Sequence, residues 1–128
     1  VGDPGTIGEG SILVIDDDSG IRETLADFLR HEGYRVDVAR DGAEGLERLA
    51  FTRPDLILVD LNMPGMDGNQ FLRRLRADPA AGALPVVLMT GTRYSEAAAP
   101  AADAVLQKPF ELDDLVAVVR RFRPAANA

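Results

Sequence analysis

Cysteine and tryptophan are absent from the chain, and histidine occurs once, as His31. Without cysteine there are no disulfides and no thiol chemistry, and a reducing cytoplasm is the expected setting. A single histidine without cysteine argues against a zinc centre, whose ligands are mostly those two residues. No apolar run approaches the roughly 20 residues that a membrane-spanning helix needs. Positive charge is also scarce: 14 Lys and Arg stand against 21 Asp and Glu, for a net charge of −7. Such a surface repels phosphate backbones and anionic lipid, so neither nucleic acid nor membrane is an expected partner. Within the basic set, Lys108 is the single lysine beside thirteen arginines. Residues 1–10 carry neither a basic start nor an apolar stretch and so do not read as a secretion signal. They are Gly-rich and read as a flexible linker or an expression remnant.

What is present suffices for one compact domain, since 46% of the 128 residues are apolar. No internal repeat divides them. The domain is expected over residues 11–123, with a loose tail at 124–128. Its organising stretch is Leu56-Ile57-Leu58-Val59-Asp60, followed by Leu61-Asn62-Met63-Pro64-Gly65-Met66-Asp67-Gly68. The continuous apolar run reads as a strand buried on both faces, and Pro64, Gly65 and Gly68 force a loop after it. Asp60 is thereby delivered to the edge of a sheet. Taken alone, it would read as an ordinary turn aspartate.

Three further apolar runs accompany it, the first two reading as buried strands and the last, Ala104 to Leu106, as a short strand expected at a sheet edge. Ser11-Ile12-Leu13-Val14-Ile15 ends in Asp16-Asp17-Asp18, Pro85-Val86-Val87-Leu88-Met89 ends in Thr90-Gly91, and Ala104-Val105-Leu106 ends in Gln107-Lys108-Pro109-Phe110. Tyr34, Val36 and Val38 alternate with polar residues, as in a half-exposed edge strand. Helical spacing fills the intervals. One helix is expected after an N-cap at Ser19, with Ile21, Leu25, Phe28 and Leu29 inward and Gly33 as its stop. A second is capped by Asp41, with Ala43, Leu46, Leu49 and Ala50 inward. A third runs from about Gly68 to Asp78, with Phe71, Leu72 and Leu75 inward and Pro79 ending it. The last, about Glu111 to Phe122, buries Leu112, Leu115, Val116, Val119 and Phe122. The Ala-rich stretch from Arg93 to Ala102 is interrupted by Pro100. Strict alternation of strand and helix predicts an α/β fold, a doubly wound five-stranded parallel sheet of flavodoxin-like order 2-1-3-4-5 with helices on both faces.

In open sheets of this kind ligands bind beyond the C-terminal strand ends, near the switch point between the first and third strands. Asp16, Asp17, Asp60, Thr90 and Lys108 all fall on that edge. Clustered carboxylates repel one another unless positive charge offsets them. A hard divalent cation such as Mg²⁺ accepts an all-oxygen ligand set, and Lys108 is a compact charge suited to a small phosphoryl-sized anion. Asp18 reads as a loop acid near the first helix's N-terminus, Phe110 as core, and His31 as a solvated residue at a helix C-terminus.

Asp16-Asp17, the block from Asp60 to Gly68, Thr90-Gly91 and Lys108-Pro109-Phe110 together resemble the receiver domain of bacterial two-component response regulators, of the chemotaxis-regulator kind. The likeness runs from about Ser11 to Arg123. It implies a signalling phosphoacceptor rather than an enzyme acting on a separate substrate. Asp60 would accept a phosphoryl group from a sensor histidine kinase or a histidine phosphotransfer protein. Asp17 and Asp60 would ligate Mg²⁺, joined by the Asn62 backbone carbonyl, with Asp16 acting mainly through water. Thr90 and Lys108 would bind the phosphoryl oxygens, and Lys108-Pro109 is a candidate cis peptide. Asn62 and Thr92 would flank the group and govern water access. A phosphorylation-dependent homodimer is compatible with the family; the effector is not indicated.

Two departures from the family's pattern concern output. Val105 stands where many members carry Tyr or Phe, and Lys108 follows Thr90 by 18 positions, fewer than in many members. The segment from Gly91 to Ala104 is therefore the expected switch, without an aromatic flip. Alternatives fit less well. An Mg²⁺-dependent aspartyl-phosphate phosphohydrolase of the haloacid dehalogenase type wants an acid two residues after the nucleophile, where this chain has Asn62. A flavodoxin-like nucleotide or FMN binder would place phosphate against the acidic 16–18 loop. A receiver-shaped protein signalling without phosphate would not need the full acid set. A receiver module of a hybrid histidine kinase, relaying phosphate, shares the chemistry of the leading reading.

Overall fold

The computed structural model describes residues 10–91 and 101–122. The elements run β1 (Ser11–Ile15), α1 (Ser19–His31), β2 (Arg35–Ala39), α2 (Gly42–Leu49), β3 (Leu56–Asp60), α3 (Gly68–Ala77), β4 (Val86–Thr90), β5 (Ala104–Gln107) and α4 (Leu112–Phe122). All strand pairs are parallel, in the order β2-β1-β3-β4-β5 expected from the sequence. The largely apolar strands β1 and β3 pair inside the sheet, and half-exposed β2 is an edge. Among the described residues no helix is long and apolar enough to cross a membrane.

Strand periodicity divides the core into two layers. Leu13, Ile15, Ile57, Val59, Val86 and Leu88 face α2 and α3, where Phe71, Leu72 and Leu75 meet them. Ile12, Val14, Leu56, Leu58, Val87, Met89, Ala104 and Leu106 face α1 and α4, against Leu25, Leu29, Leu115 and Val119. The same period, carried two residues beyond Val14, Leu58 and Leu106, puts Asp16, Asp60 and Lys108 on the α1/α4 side. The alternation that builds the core thus aims three charged groups at one place.

Helix ends follow local chemistry. Asp18, not Ser19, caps α1, with its carboxylate accepting the Ile21 N–H. Either residue type can cap, but a carboxylate also suits the positive end of the helix dipole. At the other end Gly33, with φ 102°, closes the helix. Its N–H bonds the Arg30 carbonyl while Tyr34 N–H bonds that of Leu29, the paired bonds of a glycine C-cap. Asp41 caps α2 as expected. At α3, Asp67 and Gln70 bond reciprocally in a capping box.

Two inward faces differ from expectation. On α2 the buried residues are Gly42, Gly45 and Leu49, while Ala43 and Ala50 are exposed. The helix lies so close to the sheet that a Cβ on Gly45 would come within 2.5 Å of Ile15 Cδ1. On α4, Leu115 and Val119 are buried and Val116 and Phe122 half-buried, but Leu112 is 43% exposed. Leu112 opens instead onto an apolar groove of about 740 Å³ shared with Ile21, Leu25, Pro109 and Phe110. Phe110, expected in the core, is partly buried at the core's margin.

Gly68 marks a close approach of backbone to backbone beside Asp60. A Cβ there would lie 2.8 Å from the Asp60 carbonyl oxygen and 2.8 Å from Leu61 Cα. Neither neighbour can rotate away, whereas the atom facing Gly45 is the end of a flexible side chain. Gly68→Ala is therefore expected to cost about 2 kcal/mol, and more than Gly45→Ala. Urea unfolding of the two variants checks the ranking, and equal midpoints would show that the α3 start shifts without cost.

Candidate functional site

The site begins where three parallel strands stop. β3 is buried along its whole length, so Asp60 reaches the sheet edge on a rigid element and is only 5% exposed. The ladder continues one step beyond it, because Leu61 N–H donates to the Met89 carbonyl at 2.7 Å. The chain then turns at Gly65, which adopts φ 78°. A residue with a side chain would be strained there. Asp16 likewise extends β1, donating its N–H to the Ala39 carbonyl at 3.1 Å. Lys108 extends β5, donating its N–H to the Thr90 carbonyl at 2.6 Å.

These extensions bring the charges together. Lys108 Nζ lies 3.1 Å from Asp16 Oδ2 and 3.2 Å from Asp60 Oδ1. Asp16 is fully buried, and its other oxygen accepts the Asp18 N–H at 2.9 Å. Asp17 is exposed, yet one carboxylate oxygen from each of Asp16, Asp17 and Asp60 lies within 4.8 Å of the others. Three converging carboxylates form an all-oxygen donor set, which fits a hard divalent cation and not a thiolate-seeking one. Thr90 is fully buried at the end of β4, and Asn62 is exposed two residues beyond Asp60. The peptide between Lys108 and Pro109 is cis. Thr92, Pro100 and most of the 91–104 segment lie outside the described residues, as do residues 1–9 and 123–128. Val105 is partly buried in β5 against the α2/α3 layer.

Electrostatics follow from this geometry. Burial pushes the Asp60 carboxyl above its ordinary value of 3.8; the Asp16 charge adds to the rise, Lys108 opposes it, and Asp17 adds a further push. Burial disfavours the Lys108 ammonium, but Asp16 and Asp60 together outweigh it and hold its pKa above the ordinary 10.5. The lysine therefore stays charged at any physiological pH. The arrangement offers Asp60 both an acidic cluster that can hold a cation and a fixed positive charge in contact with it.

Sequence reasoning missed the groups that hold these acids in place. Arg22, in the first turn of α1, donates from Nη1 to the Asp16 carbonyl at 2.9 Å. Nothing in the sequence marks it out from twelve other arginines. Asp18 both caps α1 and gives its N–H to Asp16. His31 is exposed in the last turn of α1, as expected.

Comparison with known proteins gives one answer. The family described as the response regulator receiver domain matches residues 12–120. Response regulator Rre1 of Synechocystis sp. is 40% identical over 116 residues, covering 86% of this chain and 50% of Rre1. The chain spans about half the length of the curated relatives it matches. The chemotaxis protein CheY4 of Vibrio cholerae superposes with a TM-score of 0.83 at 30% identity, over 89% of this chain and 98% of CheY4. The signal receiver domain of a signal transduction histidine kinase from Syntrophus aciditrophicus gives a TM-score of 0.80 at 33% identity, over 88% of this chain and 89% of that one.

Proposed function

This chain belongs to the response regulator receiver family, and we propose that it accepts a phosphoryl group from a phosphohistidine onto the Asp60 carboxylate. One observation supports the reading above others: a buried strand-end aspartate with a lysine ammonium at 3.2 Å and two more carboxylates beside it. Phosphoryl transfer asks the protein for in-line placement and charge neutralisation more than for covalent help. In the proposed step an Asp60 oxygen attacks phosphorus and the P–N bond to the donor imidazole breaks. The bonding pair returns to the ring nitrogen. Lys108 is released from its two carboxylate partners to meet the incoming phosphoryl oxygens, and the Thr90 hydroxyl binds another of them. Asp17, Asp60 and the Asn62 carbonyl would hold Mg²⁺, with Asp16 helping through water, and the ion would supply charge neutralisation when bound. The donor is a sensor histidine kinase or a histidine phosphotransfer protein. Incubation with Mg²⁺ and acetyl phosphate tests the reading by mass spectrometry. A single base-labile phosphoryl adduct on Asp60 is expected, and no adduct, or one on another residue, would overturn it.

A metal that binds only the folded state must stabilise it. Mg²⁺ at ten times its Kd is expected to add about 1.4 kcal/mol to the unfolding free energy. Asp17→Asn should remove most of that gain, because Asp17 is the exposed member of the three acids. A thermal midpoint indifferent to millimolar Mg²⁺ would count against the metal site.

A second reading, in which the domain relays phosphate onward, draws on Val105. A short β-branched residue stands where many receivers place an aromatic switch, and the family includes receivers from histidine kinases. Rapid, reversible transfer from phosphorylated Asp60 back to a histidine phosphotransfer protein would favour the relay.

A further inference from the structure

We propose that Arg22 is a positioning residue for the acidic loop, fixing the Asp16–Asp17 peptide so that the Asp17 carboxylate is held ready for a divalent cation. The inference rests on the metal site of the preceding reading and adds to it a residue on α1. Asp16 is restrained at four atoms. Its N–H donates to the Ala39 carbonyl at 3.1 Å, and its two carboxylate oxygens accept from Asp18 N–H at 2.9 Å and Lys108 Nζ at 3.1 Å. The fourth restraint is Arg22 Nη1, 2.9 Å from the carbonyl oxygen.

That carbonyl belongs to the peptide plane from which Asp17 departs. Asp17 itself is exposed, and its side chain has room to move. A peptide unit is planar, so fixing the oxygen of one residue fixes the amide of the next. Of the other three restraints, only the Asp18 N–H bond to Asp16 Oδ1 closes a turn through that plane, and Arg22 adds the restraint at its oxygen. Arg22 is suited to the task. Its side chain is 16% exposed, and its backbone N–H is bonded to the Asp18 carbonyl at 2.9 Å, so the guanidinium springs from an ordered helical turn. Its ion pair with Glu23 spans 4.0 Å to a residue 59% exposed and adds little direction. The guanidinium's role is thus geometric. Partners that orient metal ligands without touching the metal commonly change its affinity 10- to 100-fold when removed, by about that range in other systems.

The test uses Arg22→Ala and Arg22→Lys in the intact chain, with Mg²⁺ binding followed by the amide resonances of residues 16–18 and 60–62. Arg22→Ala is expected to weaken Mg²⁺ binding about tenfold and to speed hydrogen exchange at the Asp17 and Asp18 amides, with exchange in β3 and β4 unchanged. Arg22→Lys should recover less than half of the lost affinity, since an ammonium keeps the charge but not the planar reach. Wild-type affinity and exchange in Arg22→Ala would overturn the proposal. So would full recovery by Arg22→Lys, which would make charge alone the cause, or exchange that rises throughout the sheet, which would make the role general stability. If wild type binds no Mg²⁺, the metal reading fails, and exchange at Asp17 and Asp18 still decides the role of Arg22. Should Arg22→Ala not fold, Arg22→Lys is judged by the same two measurements.

Discussion

Asp60→Asn should take up no phosphoryl group and, at neutral pH, should melt above the wild type. The first effect follows from chemistry. An amide lacks the anionic oxygen that attacks phosphorus, so acetyl phosphate labelling should fall at least about a hundredfold, with beryllofluoride binding lost as well. The second follows from the surroundings of Asp60. Its folded pKa is raised, chiefly by burial and then by Asp16. A raised carboxyl pKa means that the folded state holds the proton more tightly than the unfolded state. The stability which that proton confers is complete below the ordinary value of 3.8 and is lost as pH rises through the folded value. At pH 7 the ionised carboxylate is therefore a net cost that a neutral amide of the same shape removes. A rise in melting temperature of about 3–5 °C is expected, shrinking as the pH is lowered toward the carboxylate range. Melting at or below wild type at pH 7 would show that the 3.2 Å contact with Lys108 outweighs burial. Labelling that persists would move the phosphoacceptor elsewhere.

Charge and stability oppose each other here because the site keeps three acids together with one lysine. Asp16 and Asp60 share the Lys108 ammonium, while Asp17 stands outside that pair and faces solvent. Three acids beside one lysine leave this edge of the sheet with an excess of negative charge.

The parts of the fold legible in the sequence are those written by side-chain periodicity. The apolar runs of β1, β3 and β4 announce buried strands, and the alternation at Val36 and Val38 announces an edge. One arithmetic of strands then places Asp16, Asp60 and Lys108 on a common side. What escaped was written in backbone proximity. Gly42 and Gly45 carry no hydrophobic signal, so a count of methyl groups turned Ala43 and Ala50 inward instead. Yet the absence of a Cβ is what lets α2 settle against Ile15 and Met66. Leu112 misled in the opposite sense, since an apolar residue in the first turn of a helix need not lie over the sheet. Arg22 and Arg76 were illegible for a third reason. An arginine on an amphipathic helix reads as a solvated charge, and only the fold shows which one meets backbone carbonyls.

Arg76→Ala should be among the most destabilising surface-adjacent substitutions, at about 3 kcal/mol or about 10 °C in melting temperature. Arg76 lies near the end of α3, and its guanidinium ties together three segments. Nε and Nη2 donate to the Ala101 carbonyl at 3.0 and 2.7 Å, Nη1 donates to Gly82 and Leu84 carbonyls at 2.9 and 2.6 Å, and Nη2 reaches Asp103 Oδ2 at 3.0 Å. All five guanidinium hydrogens are thereby occupied. Asp103 extends the tie, since the same carboxylate oxygen accepts the Val86 N–H at 2.7 Å. The starts of β4 and β5 are thus pinned to α3. The ion pair itself contributes modestly, because Asp103 is 40% exposed and water screens it. The larger loss is three half-buried carbonyls deprived of a charged donor. Arg76→Lys should restore under half of the stability, because an ammonium cannot span the same acceptors. The tie sits at the N-terminal edge of the sheet, opposite Asp60, so both variants should still label with acetyl phosphate at temperatures where they remain folded. A loss below about 1 kcal/mol would mean that water replaces the guanidinium at these carbonyls. Lost labelling in a folded variant would mean instead that the position of Lys108 depends on how β5 begins.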